Sequence, residues 1–523
     1  MMIDAKSISM GQELAADVCI VGAGTAGLVL AAQLANKPFR VILIESGGLK
    51  PDKNSNQLNW GENIGLKYYA LDTARARYFG GSTNRWHVSI GDQQLGARIR
   101  PLDGIDFEER DYLPHSGWPF SKDHLEPYYL RAQEICRAIP PSYAVNEWFG
   151  ESPYEKLPFD AGQVETIVFK FCAKETLLKG FEEAVQNARN LQVLLFANLT
   201  GIETDEAAKS VKNVKVACLN GARFTVSARL FVLAAGGIEV PRLLLSSDQV
   251  MSCGLGNQND VVGRYFMEHL HFWSGVFLPK DNGLIAKTGI YNDVRRINGV
   301  PVIAKLALPE ALMRQQKLIN HNVQLMPRVV LRSTLYSHLW RDFSSNPKGV
   351  FKPLPTAVRK GIVKAATLLD RRRSLIYKFA NMTEQIPNPE SRVTLSADRD
   401  SLGVRIVRLN WQVSPQDIEN AIRVQEIIGG EIERSGLGRL FIQLQRDSIP
   451  PDLHGGYHHM GTTRMNCDPK KGVVDPDCRV HGLSNLYIAG PSVFPTGGHA
   501  NPVLTILALT LRLSEHIRKV FEN

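Results

Sequence analysis

No C-x-x-C pair, no C-x-x-C-H haem motif and no histidine/cysteine/carboxylate cluster with metal-ligand spacing occurs in these 523 residues. The seven cysteines (Cys19, Cys136, Cys172, Cys218, Cys253, Cys467 and Cys478) are scattered and odd in number. That pattern excludes a disulfide-stapled scaffold, points away from a metal centre and fits a reducing compartment. Cys467 and Cys478 flank the Lys470-Lys471-Gly472 turn, and the expectation is that they stay unpaired. No run approaches ~18 uninterrupted apolar residues, so no membrane-spanning helix is expected. The opening residues lack a charged stretch followed by an apolar one, contain no twin arginine and reach a strand near Asp17. A cytoplasmic protein is the expectation. A broad excess of charge is missing as well. The formal net charge is +9, yet twelve basic residues against two acids lie between Arg328 and Lys378. This segment carries the whole imbalance, which argues against a general nucleic-acid surface.

What remains is ordinary globular material, 44% hydrophobic and 22% charged. A chain of this length exceeds one core and should divide into two or three domains. Residues 16–48 supply the first. An apolar strand over Val18–Val21 meets Gly22-Ala23-Gly24-Thr25-Ala26-Gly27, an Ala/Leu-rich helix runs to about Asn36, and a second strand over Arg40–Ile44 ends on Glu45-Ser46. The first glycine permits the turn, the second lets backbone approach a pyrophosphate, and the third lets helix and strand pack closely. An acid at Glu45 is placed for a ribose hydroxyl and disfavours a 2′-phosphate. A second glycine-rich turn, Gly80-Gly81-Ser82-Thr83-Asn84-Arg85, sits between Phe79 and Trp86, which read as buried flanks. A third crossing follows the strand ending at Ala234, at Ala235-Gly236-Gly237.

From about 271 to 449 the alternation of Arg392–Leu395 and Gly403–Trp411 reads as a mostly antiparallel sheet. Ser414 and Pro415 mark the cap and first turn of a helix to Arg434. Within Met382–Pro389, Gln385 is a candidate for touching substrate, with an exposed turn as the other reading. The basic segment interleaves apolar residues over Thr356–Leu369 at helical spacing. It reads as a solvated lid beside the pocket, or as a surface for an anionic membrane through residues 350–373.

The chain's last sixth carries the chemistry. His458-His459 precede a Gly461-Thr462 turn, a short strand ends at Gly490, and Asn501-Pro502 open an apolar helix. An imidazole takes up a proton near neutral pH, and a carboxamide can hold a developing alkoxide oxygen. Neighbouring side chains on extended backbone point to opposite sides, so one of the two histidines should face the reaction. His458 is the choice, and His459 is left as a core or cofactor-orienting residue.

Taken in order, these motifs resemble the glucose-methanol-choline family of FAD oxidoreductases. The tail HHMGTTRM with AGPSVFPT is similar to the bacterial branch containing pyranose and glycoside oxidases and polyol dehydrogenases. The resemblance implies an α/β fold, with a Rossmann-like FAD-binding domain from residues 1–270 and 450–523. A second α+β substrate domain over 271–449 would be built on a mostly antiparallel sheet. It implies His458 as the base and Asn501 as its partner in oxidising an alcohol by hydride transfer to flavin N5. The substrate hydroxyl would be that of a sugar, glycoside or cyclitol. Cofactor contacts fall on Gly22, Ala23, Gly24, Thr25, Ala26, Gly27, Glu45, Ser46, Gly80, Gly81, Ser82, Asn84, Ala235, Gly236, Gly490 and Pro502. Arg85 stands where some members carry a flavin-linking histidine, so FAD should be non-covalent. His499, two residues before Asn501, joins Gln385 and His459 as a substrate-side candidate. Other readings are oxidation of a lipophilic alcohol at a membrane surface and flavin binding without turnover. Oxygen, a quinone and a protein all stay open as the electron acceptor.

Overall fold

Strand Glu13–Val21 is the axis of the first sheet, apolar from Val18 onward because it is covered on both faces. It runs parallel to Val41–Ile44 on one side and to Arg223–Leu233 on the other. The order continues outward through Leu191–Leu195 to Met2–Asp4. Past Arg223–Leu233 the neighbouring edge is shared. Its first half pairs antiparallel with Val211–Ala217, and its last residues pair parallel with Leu486–Ile488. Helix Thr25–Leu34 follows the first strand and packs against the terminal helix Val503–Glu522, which also contacts Lys122–Ile135. This computed structural model describes residues 1–90, 93–150, 154–173, 176–331 and 373–522. Most of the basic segment, including nearly all of 350–373, therefore lies outside the described residues. Among the described residues no helix is long and apolar enough to cross a membrane.

The second sheet has ten strands, and those along its main path are antiparallel. One face buries Val323, Leu325 and Phe379 against Val424, Ile428 and Ile432 of helix Pro415–Arg434. That helix starts as its sequence indicates. Ser414 caps it, Pro415 occupies the first turn, and Asp417 closes a capping box, a device worth about 1 kcal/mol. The other face carries Ile167, Phe169, Phe171, Ile303 and Met382. Pairing register also puts His271, Met382, Asn322 and Ala307 side by side across four strands of it.

The division of the chain differs from a boundary at residue 270. Strands Val88–Ile90, Gln93–Ile99 and Glu165–Ala173 belong to the antiparallel sheet. Gly61–Asn63 joins a small third sheet with Arg405–Asn410 and Arg392–Arg399. Antiparallel pairing links strands far apart in sequence, and single-strand patterning does not reveal which sheet a strand enters. All seven cysteines are free, Cys467 exposed and Cys478 buried.

Candidate active site

A cavity of about 630 Å³ is lined by Glu45 and by His458 and Asn501. Its first wall is the turn after strand Glu13–Val21. Gly22 has φ +103°, and a side chain there would lie 2.7 Å from the Ala234 carbonyl oxygen. A methyl on Gly27 would lie 1.8 Å from the Gly22 carbonyl oxygen, whereas one on Gly24 meets nothing within 4 Å. Two of the three glycines thus serve packing, and Gly24 presents bare backbone to the cavity. The second glycine-rich turn docks on the first. The Gly80 amide donates to the Ala23 carbonyl at 2.9 Å, and the Thr25 and Thr83 hydroxyls meet at 2.5 Å.

Glu45 is buried at the tip of its strand and accepts from the Ala23 and Gly47 amides, both at 2.9 Å. Burial pushes its carboxyl up, while those amides and Arg77 oppose the shift. Gly22, Gly24, Thr25, Ala26, Glu45, Ser46, Gly81, Ser82, Ala235, Gly236, Gly490 and Pro502 all line the cavity. Ala23, Gly27, Gly80 and Asn84 shape it from behind. The Asn84 amide, for instance, donates to the Phe79 and Gly81 carbonyls at 3.0 Å. A cleft with glycine backbone and a carboxylate in its lining fits a dinucleotide cofactor.

The backbone around His458 is laid against the start of strand Leu270–Pro279. His454–Gly455 pairs with Leu270–His271, and Met460 bridges to Met267. Glu268 is fully buried beneath this crossing and accepts from the Gly456 and His458 amides at 2.9 and 2.8 Å, and from the Tyr68 hydroxyl. Burial raises its carboxyl to about 7, against the pull of those donors. Gln385, a substrate-side candidate from the sequence, is placed elsewhere. Its oxygen accepts from the Glu268 amide (2.9 Å) and the Trp411 indole (3.1 Å), and its amide donates to the Gln412 carbonyl. It is spent on holding Glu268 and does not line the cavity.

The imidazole of His458 stands in a chain of hydrogen bonds whose two ends fix every proton in it. Arg98, a donor only, reaches Asn501 Oδ1 from Nε at 2.8 Å. Asn501 therefore turns its Nδ2 to His458 Nε2, 3.2 Å away, and that nitrogen must accept. The His458 proton then sits on Nδ1, 2.8 Å from His269 Nδ1, which accepts in turn. His269 keeps its proton on Nε2 and donates to the Gly497 carbonyl at 3.2 Å, an obligatory acceptor. Donor-only guanidinium and acceptor-only carbonyl lead to the same tautomers. His458 is thereby neutral, its Nε2 unprotonated and accepting from the Asn501 amide. Burial, with His269, His271 and Arg98 around it, holds its pKa well below the usual imidazole value.

His459 also lines the cavity, so both histidines reach the wall. Its Nε2 is tied to the Tyr68 hydroxyl at 2.9 Å, and burial lowers it to about 3. Only His458 meets Asn501. His499 is buried, stands outside the cavity lining and has its Nε2 3.3 Å from Asp103. Arg98, Glu268, Tyr68 and His269 were not singled out from the sequence. The alternation Arg98-x-Arg100 and His269-x-His271, polar residues on one face of otherwise apolar strands, was the available signal.

The family model described as GMC oxidoreductase matches residues 387–510, and one for a NAD(P)-binding Rossmann-like domain matches 20–49. The chain is similar to the fructose dehydrogenase large subunit of Gluconobacter japonicus, 23% identical over 97% of this chain and 98% of that one. It is also similar to the 6'''-hydroxyparomomycin C oxidase of Streptomyces lividus, 24% identical over 96% and 91%. A crystal structure of a formate oxidase superposes with a TM-score of 0.57 at 16% identity, covering 98% of this chain and all of the other, a likeness of fold.

Proposed function

The chain belongs to the GMC oxidoreductases, FAD-dependent enzymes acting on alcohols, and from that premise we propose that it oxidises a hydroxyl of a sugar, glycoside or cyclitol to the carbonyl. The observation that carries this is the approach of His458 Nε2 and Asn501 Nδ2 to 3.2 Å in the wall of the cavity that Glu45 also lines. FAD, when bound, supplies the hydride acceptor. The protein's part is to bind, orient and take the proton. His458, neutral and with Nε2 free of a proton, accepts the hydroxyl proton, which avoids a high-energy protonated carbonyl. Asn501, clamped by Arg98, presents its amide to the oxygen on which negative charge grows. His269 keeps the His458 proton on Nδ1, away from the substrate.

Arg85, exposed and lining the cavity, supports non-covalent FAD, since a guanidinium forms no flavin bond of the histidyl type. The seven free thiols support a reducing, cytoplasmic setting. We divide the chain functionally into a cofactor part built on the parallel sheet and a substrate part built on the antiparallel one. The test is anaerobic addition of sugars, glycosides, cyclitols and long-chain alcohols to the flavin-loaded protein. Bleaching by the first three classes is the expected result. Bleaching by long-chain alcohols alone would move the substrate class to lipids, and no bleaching by any alcohol would leave a binding protein.

A further inference from the structure

The cavity that His458 lines is also lined by Arg98, a cation that no described acid balances. Several interior guanidinium groups are matched by acids, whereas Arg464 has the His115 carbonyl and the Tyr265 ring instead. Arg75, Arg77 and Arg242 meet Glu239 at 2.9, 3.0 and 3.1 Å, and Arg110 meets Glu384 at 2.7 Å. Arg98 has only the Asn501 oxygen on Nε and the Met382 sulfur, 3.4 Å from Nη2. Among the described residues its Nη1 has no hydrogen-bond partner, and its side chain lines the cavity. Lys305, 3% exposed and behind the cavity lining, has Asn322 Oδ1 at 2.7 Å as its hydrogen-bond partner among the described residues. Both cations lie against one ring, Arg98 at 5.3 Å and Lys305 at 5.2 Å from the Phe169 centroid. His271 stands on the same sheet face, its Nε2 buried without a partner. Among the described residues no carboxylate pairs with any of the three.

Leaving a charge desolvated and unpaired is costly, and neutral hydroxyls offset little of that cost. A carboxylate offsets much more, because a guanidinium offers it two parallel donors. We propose that this wall binds a carboxylate, making the substrate a hydroxy acid of the sugar-acid kind, with its carbinol toward His458 Nε2 and its carboxylate toward Arg98. This rests on the reading of His458 as the base. In the reaction the carbinol C–H electron pair passes to the flavin with its hydrogen, the O–H proton passes to His458, and an oxo acid remains. Electrostatics run the same way. Burial lowers Arg98 to about 10 and Lys305 further below its usual value, and Arg98 and His271 disfavour a protonated His458. A carboxylate at that wall favours the Arg98 guanidinium and the imidazolium that proton transfer creates at His458.

The experiment uses the flavin-loaded protein and a panel of hydroxy acids and aldonates, each paired with its neutral alcohol. Bleaching by the acid is expected to half-saturate at a concentration about 10- to 100-fold lower than for its neutral partner. Oxalate, which has no carbinol, is expected to perturb the oxidised flavin spectrum and to compete. Arg98→Gln should abolish the oxalate effect and Arg98→Lys retain part of it. Lys305→Gln, which touches neither His458 nor Asn501, should weaken oxalate. Equal bleaching by acid and neutral partner, or oxalate without spectral effect or competition, overturns the proposal and leaves alcohol oxidation intact. Oxalate binding that depends on Arg98 without bleaching by any alcohol supports the anion site and sinks the oxidation reading instead.

Discussion

His458 is half-buried, with His269 and His271 packed around it. His458→Ala is expected to cut turnover by ~10²–10⁴-fold, the usual share of a general base, with FAD retained by its absorption spectrum. His269→Phe removes the acceptor for the His458 Nδ1 proton and frees the other tautomer. A loss of about tenfold in kcat is expected, since one hydrogen bond of about 1.4 kcal/mol holds the tautomer, with KM little changed. His269→Gln, whose carbonyl can accept the same proton, should recover part of that loss, which a purely packing role for His269 does not predict. The depressed basicity of His458 sets the pH profile. In the proposed role its neutral form is the active one, and activity is expected to fall as pH drops through the lowered pKa. The acid limb of kcat/KM should therefore lie below pH 6.5, and a limb at or above 6.5 contradicts the assignment. His458 and Asn501 were legible in the sequence because each sits beside a punctuating turn or proline. Arg98 and His269 were not, because each becomes meaningful only when the folded chain brings it to residue 501 or 458.

Among the elements, the strand-turn-helix at residues 13–34 separates packing from binding within one motif. Gly27→Ala puts a methyl into the Gly22 carbonyl, an overpacking of about 1–3 kcal/mol, and should lower the melting temperature as well as flavin content. Gly24→Ala meets no protein atom and should leave melting of the flavin-free protein unchanged while flavin affinity falls. Equal effects of the two changes on the flavin-free protein would contradict this division. Strand, turn and helix were readable here because their contacts are local and glycine chemistry is specific. Helix Pro415–Arg434 was readable for the same reason, through its cap. Gln385 was misplaced because a polar side chain beside a proline turn looks the same whether it faces a ligand or, as here, a buried glutamate amide and an indole.

For the whole molecule, the contact between the sheets is organised by a buried polar knot. Arg110 and Glu384 pair at 2.7 Å with almost no exposure, and Glu384 also accepts the Asn320 amide. Asn320 reaches Asp106, whose carbonyl accepts from Thr496 at 2.6 Å. Gly498 has φ +55° and lies so close to Asp106 that a methyl would come within 2.3 Å of its carboxylate. The segment from Thr496 to Asn501 is thus fastened to the antiparallel sheet. Glu384→Gln, which leaves Arg110 buried without its counter-charge, is expected to cost about 3–5 kcal/mol in chemical denaturation. A loss under about 1 kcal/mol would show the knot to be dispensable. The two-sheet architecture was legible in outline, but the line between them was not, because strands before residue 174 cross into the second sheet.

The loop bearing His458 is moored on strand Leu270–Pro279, while Asn501 leads into the helix that covers the parallel sheet. The proposed base and its amide partner are therefore held by elements of different sheets and meet only when those sheets are seated. A molecule beginning to melt at that seam would fall silent while still yellow, so assembly itself serves as the licence for turnover.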